Sequence, residues 1–214
     1  MYKYSFLLLA LLLPLGSQAH TINYELADIS TSNIAWVYLK LGYTHILPLG
    51  FDHVLFVFSL FLLSRRLTTV LWQATAFTVA HSITLGLAMN GYIKPIPSII
   101  EPIIALSIFY VALENILVQD IKPSRIAIVF LFGLVHGMGF ASALTELGLP
   151  QSDFMTALLS FNVGVELGQV SVILLAWLLL GVWFSGKTWY QSRVVTPASL
   201  MIAALALYWT IERL

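Results

Sequence analysis

Six apolar segments, five of them long, follow one another at residues 47–64, 68–89, 97–118, 125–146, 154–184 and 194–211 with only short polar breaks between them. A bilayer core about 30 Å thick takes about 20 apolar residues of helix to cross, so segments of this length in series read as membrane spans. In lipid each span must satisfy its own backbone groups, which a helix does internally. The expected fold is therefore all-α: a polytopic helical membrane bundle of about six transmembrane helices. Only 9% of the residues are charged, against roughly 25% in soluble domains, which excludes a soluble globular enzyme. Residues 154–184 would reach about 46 Å as a helix, more than the core is thick, so that span must tilt, kink or protrude.

The first residues read differently. Lys3 precedes an apolar run from Phe6 to Leu15 that is too short to span but suits the central region of a secretory signal peptide. Ser17 and Ala19 are small residues where a signal peptidase reads. Residues 1–19 are expected to be a cleaved signal peptide and 20–214 a single helical membrane domain; the alternative is an uncleaved anchor. Cleavage would leave His20 as the first residue, where its amine and imidazole could chelate a metal ion, or it simply follows the cleavage site. With the mature N-terminus outside, Arg65, Arg66, Lys122, Arg125, Lys187 and Arg193 fall on the cytoplasmic side and Lys40, Lys94 and Arg213 opposite. That bias agrees with the positive-inside rule and points to a bacterial-type inner (plasma) membrane.

Partners are bounded by charge and cysteine usage. Ten Lys+Arg balance ten Asp+Glu, leaving no excess charge for a nucleic-acid backbone, so none is expected as partner. With no cysteine, any metal must be held by nitrogen and oxygen. The lipid bilayer is the obvious partner.

Several ionisable residues nonetheless sit inside the apolar segments. Such groups cost about 2.5–3.5 kcal/mol at the centre of a lipid-facing helix and so normally face the bundle interior or a water-filled cavity. The first span opens with His45-Ile-Leu-Pro-Leu-Gly-Phe-Asp52-His53, where Pro48 and Gly50 should interrupt the helix ahead of the acidic and imidazole pair. The second carries His81 and Ser82, the fourth Gly133-Leu-Val-His136-Gly137-Met138-Gly139, and the fifth Asn162, Glu166 and Gln169. The last three share one helical face. Counted inward from the outer ends, His53, His81, His136 and Glu166 lie roughly 10–20 Å deep, in one layer of the outer half of the membrane. Imidazoles with one or two carboxylates read as a site for a divalent first-row transition metal, nickel, cobalt or zinc, with Asp52 able to orient an imidazole. Ser82, Asn162 and Gln169 are the supporting polar groups. Each histidine alone could instead merely hydrogen-bond a neighbouring helix; the clustering favours a site. Glu166 could be a protonated, hydrogen-bonded structural group. Glu114 and Asn115 lie near the other membrane face and read as helix-packing groups, or at most an inner gate; Glu101 reads as interfacial.

At these residues the chain resembles the HupE/UreJ family of hydrogenase and urease accessory membrane proteins. The likeness is carried by the His45–His53 block with Val54-Leu55-Phe56, by residues 77–85, 132–141 and 161–169, and it covers most of the chain after residue 19. It implies a six-helix membrane protein proposed to carry nickel or cobalt, with His45, Asp52, His53 and the block around His136 as metal motifs, and metalloenzyme maturation proteins as possible partners. Six residues rather than the family's usual five separate His45 from Asp52. Where the later block usually has two histidines and a glutamate, only His136 is present and Gly139 takes the glutamate position. This is the pattern of a divergent second branch, with His81 and Glu166 standing in for the missing ligands.

Three functions are compatible with these residues. A permease would bind a dehydrated divalent cation at His53, His81 and His136 with carboxylate help. A metal-dependent intramembrane hydrolase would use the same layer to activate water, with Glu166 or Asp52 as general base, although the chain holds no H-E-x-x-H pair. A non-transporting metal-binding accessory protein is the third.

Overall fold

The computed structural model describes residues 31–64, 66–118, 124–146 and 153–214; the expected signal peptide and His20 lie outside the described residues. Every regular element among them is helical. In chain order these are α1 (Thr31–Ile46), α2 (Phe51–Leu63), α3 (Leu67–Met89), α4 (Pro97–Leu117), α5 (Arg125–Glu146), α6 (Phe154–Ala176) and α7 (Thr196–Glu212). Helix α6 continues through a wide π-type turn at Trp177–Gly181 to Phe184, and a similar turn at Gln191–Val195 leads into α7.

Among the described residues four helices are long and apolar enough to cross a membrane: Leu67–Met89, Pro97–Leu117, Phe154–Phe184 and Gln191–Glu212. The pair α1–α2 adds a fifth if its two pieces count as one span, while the apolar part of α5, Arg125–Ala141, is shorter. Among the described residues four or five helices could thus span a membrane by length and composition, as in a multi-pass membrane protein. The first expected span differs most. Rather than beginning at residue 47, it begins as α1 and is bent by 68° at residues 47–50. Proline and glycine are the cause: Pro48 supplies no N–H to the ladder, and a Cβ at Gly50 would overlap the carbonyl oxygen of His45.

Close glycine contacts set the order of the bundle. A Cβ at Gly42 would strike the Phe161 carbonyl, one at Gly164 the Leu39 carbonyl, and one at Gly168 the Ile46 side chain. Residue numbers rise together along both partners, so α1 and α6 run parallel at backbone contact. Farther along, the Phe61 ring of α2 reaches Gly181. Both pieces of the broken helix therefore advance along α6 in the same sense, as one interrupted span does and a re-entrant hairpin does not. Gly133 and Gly137 of α5 similarly meet Phe77 and His81 of α3. Small residues at such crossings are the usual means by which membrane helices approach, since apolar side chains gain little by leaving lipid.

Helix α2 is the axis. It touches α1, α3, α4, α6 and α7 and buries His53, Phe56, Val57, Ser59 and Leu60–Leu63. The outer faces are apolar: Val79, Ile83 and Leu87 on α3, and Leu159, Val163 and Leu167 on α6, are exposed at helical spacing. Polar side chains, including His53, His81, His136, Asn162 and Gln169, point inward and are buried.

Gly164→Leu is expected to destabilise the fold by about 1–3 kcal/mol or more, because backbone blocks any relief of the overlap. Gly186, with nothing within reach of a Cβ, should tolerate alanine within about 0.5 kcal/mol. Unfolding of the two variants in detergent, followed by tryptophan fluorescence, checks both.

Candidate metal centre

Helical geometry alone would keep His45 and His53 apart, since eight residues along a continuous helix rise about 12 Å. The break at residues 47–50 removes that separation and brings the two rings to 4.6 Å between centroids. His81 enters from α3, with its ring 6.1 Å from His45 and 6.2 Å from His53. One ligand nitrogen from each of these three histidines lies within 4.8 Å of the others. His136 of α5 is outside this group but adjoins it, its Nδ1 3.4 Å from His53 Nε2.

The surrounding hydrogen bonds define which nitrogens carry protons. Asp52 stands in the first turn of α2, where the helix dipole favours negative charge. Its Oδ1 accepts from the His53 backbone N–H at 2.8 Å and faces His53 Nδ1 at 3.0 Å, so Nδ1 donates and Nε2 is left with a lone pair. Ser107 Oγ donates to the Ile104 carbonyl at 2.7 Å and so accepts from His136 Nε2 at 2.9 Å, leaving a lone pair on His136 Nδ1. Asn162 donates through Nδ2 to the Leu158 carbonyl at 2.8 Å, which turns its Oδ1 toward His81 Nδ1 at 3.4 Å. His81 Nε2 is then buried without a partner, as is His45 Nε2.

With both rings neutral, lone pairs of His53 and His136 face each other across 3.4 Å, an arrangement that a shared proton or a metal ion between them satisfies. Metal–nitrogen bonds of about 2.0–2.1 Å in a tetrahedral site place two ligand nitrogens about 3.3–3.4 Å apart, so the observed separation suits a bound metal. Carboxylate, hydroxyl and amide partners behind the imidazoles are the outer groups that fix tautomer and ring orientation in metal sites. Aromatic rings close the pocket: Phe140 lies 3.9 Å from His45 and 5.2 Å from Phe161, and Phe77 lies 4.9 Å from His136 and 5.9 Å from His53.

Residues 20–213 match the family described as HupE / UreJ protein. The chain belongs to the HupE/UreJ family. Comparisons with curated proteins and with solved structures gave no match.

In this HupE/UreJ protein the remaining polar residues singled out from sequence fall elsewhere. Glu166 is outside the three-histidine group; its Oε1 accepts from Thr75 Oγ1 at 2.6 Å. Gln169 donates to Thr78 Oγ1 at 2.9 Å, and Ser82 to its own helix at Thr78 O, 2.6 Å. Asn162 alone of the supporting groups reaches a histidine. Ser107, Phe77, Phe140 and Phe161 were not legible as site residues: a serine in an apolar helix or a phenylalanine in a membrane span carries no distinguishing pattern.

A second polar cluster lies toward the opposite end of the bundle. Asn115 of α4 donates to the Ser59 carbonyl at 2.8 Å and to Ser199 Oγ at 3.3 Å, and accepts from Arg125 Nη2 at 3.3 Å. Arg125 is 2% exposed and pairs with Glu114 at 3.1 Å. It was counted from sequence among the loop charges; instead it is a buried cross-link between α4 and α5.

Asp52→Asn should weaken divalent-metal binding about 10–100-fold, the usual effect of removing such a ligand-orienting group. Ser82→Ala should leave binding within about twofold, because its hydroxyl only caps a carbonyl of its own helix. Calorimetric titration of the purified protein with nickel checks the pair.

Proposed function

We propose that the protein is a permease for a divalent transition metal of the nickel and cobalt type, held in transit by His45, His53, His81 and His136. The observation that carries this reading is the gathering of buried imidazoles from α1, α2 and α3 within ligand distance, with His136 of α5 opposite. The family's link to nickel and cobalt uptake or accessory function points the same way. Imidazoles replace the water that the ion sheds, and Asp52, at 24% side-chain exposure, supplies charge on the accessible side. Glu166 is not needed as a ligand.

Release requires the ligands to separate. Rocking about the break at residues 47–50 would carry His45 away from His53, because the two sit on separate rigid helices. Broken helices serve this purpose in many transporters, where the site lies at the interruption. The proposed setting is a bacterial-type inner membrane with the N-terminus outside, supported by Arg66, Lys187 and Arg193 at one set of helix ends.

Uptake of nickel, cobalt and zinc into proteoliposomes tests the reading. His53→Ala, His81→Ala and His136→Ala should each lower uptake of the preferred metal roughly tenfold or more, matching or exceeding the loss expected from an outer-shell change. Saturable metal binding with no flux would replace the permease by an accessory binding role. Chelator-sensitive hydrolysis of lipid or peptide would replace it by an intramembrane hydrolase.

A further inference from the structure

Between α3 and α6, one to two turns beyond His81 and Asn162, lies a further group of polar side chains that offers a cation only oxygen ligands. Thr75 donates to Glu166 Oε1 at 2.6 Å, and Gln169 Nε2 donates to Thr78 Oγ1 at 2.9 Å. The helices are antiparallel here, as the His81–Asn162 contact together with the Thr75–Glu166 bond shows. The two bonds therefore cross: Glu166 reaches the threonine farther from the histidines, and Gln169 reaches back to the nearer one. Glu166 and Gln169 are three residues apart on α6, so the carboxylate and the amide share one helical face.

Two acceptors in this group have no donor. Glu166 Oε2 and Gln169 Oε1 are both buried without a hydrogen-bond partner, and Gln169 is 0% exposed. Thr78 Oγ1 donates to the Ala74 carbonyl at 3.2 Å and must therefore accept from Gln169, which fixes the amide oxygen as the free atom. Among the described residues the ion pairs are His53–Asp52 and Arg125–Glu114, so no basic side chain neutralises Glu166. An ionised carboxylate in a membrane helix is stabilised by a counter-charge, the alternative being a proton, and a buried amide oxygen without a donor is costly.

We propose that Glu166, Gln169, Thr75 and Thr78 form a binding site for a monovalent alkali cation of sodium's class. Oxygen-only donors suit hard cations rather than the transition metals that imidazole selects. A single carboxylate with neutral oxygens balances one positive charge, whereas calcium and magnesium sites ordinarily recruit more carboxylate and water. The site shares both helices with the histidine centre: Thr75, Thr78 and His81 stand on one side of α3, and Asn162, Glu166 and Gln169 on one face of α6. A cation that clamps α3 to α6 holds Asn162 against His81. Coupling to metal movement rests on the permease reading; the cation site itself does not.

The test is thermal unfolding of the purified full chain in detergent, with a chelator present to exclude transition metal. Sodium, potassium and choline chloride are compared at constant pH and ionic strength. Sodium should raise the melting temperature saturably and more than choline does, as a ligand of the native state must. In Glu166→Gln and in Gln169→Leu the half-saturating sodium concentration should rise roughly tenfold or more; if the first does not fold, the second carries the comparison. Equal melting temperatures in sodium and choline, or a sodium response unchanged in the variants, overturn the proposal. So does stabilisation by acid alone, which would make the occupant a proton. Sodium binding with metal uptake indifferent to a sodium gradient upholds the site and removes the coupling. Sodium binding with no metal uptake at all upholds the site and fails the permease reading instead.

Discussion

Everything in the histidine cluster depends on a helix that does not continue. Were residues 31–63 one unbroken helix, His45 and His53 would stand about 12 Å apart along its axis and no ion could touch both. Pro48 withholds an N–H, Gly50 admits the His45 carbonyl against its Cα, and the chain turns through 68°. Backbone freed in this way is tolerated in a membrane only where protein or water surrounds it. At the break Ile46 and Gly50 are buried against protein while Pro48, Leu49 and Phe51 are exposed, so only its histidine side faces the bundle interior, where a site for a charged ligand must be.

The rest of the bundle keeps that interrupted segment in place. Contacts at Gly42 and Gly164 bring α1 against α6 at van der Waals distance, and those at Gly133 and Gly137 bring α5 against α3. These pairs carry His45, Asn162, His81 and His136, so the approach of the backbones sets the spacing of the imidazoles. At the opposite end, Arg125, Glu114 and Asn115 tie α4 and α5 to Ser59 of α2 and Ser199 of α7. A buried guanidinium with only one carboxylate is tolerated because that network supplies its other partner. Loss of either partner would strand a charge at a cost of several kcal/mol.

Much of the fold could be read from residue order. Apolar length marked α3, α4, the long α6 and α7 closely, and Pro48 with Gly50 marked the irregular entry to the first span. The reading failed where a segment is divided by its neighbours rather than by its own pattern: α1 lay outside the expected spans because its buried face is matched to α6, not to a sequence period. The histidines were recognisable because an ionisable group in an apolar run is conspicuous at any position. Glu166 was equally conspicuous, yet it turns to Thr75, since side-chain direction depends on which helix lies opposite. Ser107 was invisible for the same reason: its meaning comes only from His136 on another helix.

Residue order alone thus determined that this chain is a helical membrane protein with imidazoles and carboxylates at depth, because hydrophobicity and charge act on each segment independently of the others. Tertiary structure alone decided how the imidazole nitrogens are partnered, which oxygens lack donors, and which of the acids in the apolar segments stands beside the histidines. Those properties belong to pairs of helices, fixed by rotation and closest approach between segments far apart in the chain, and no local pattern encodes them.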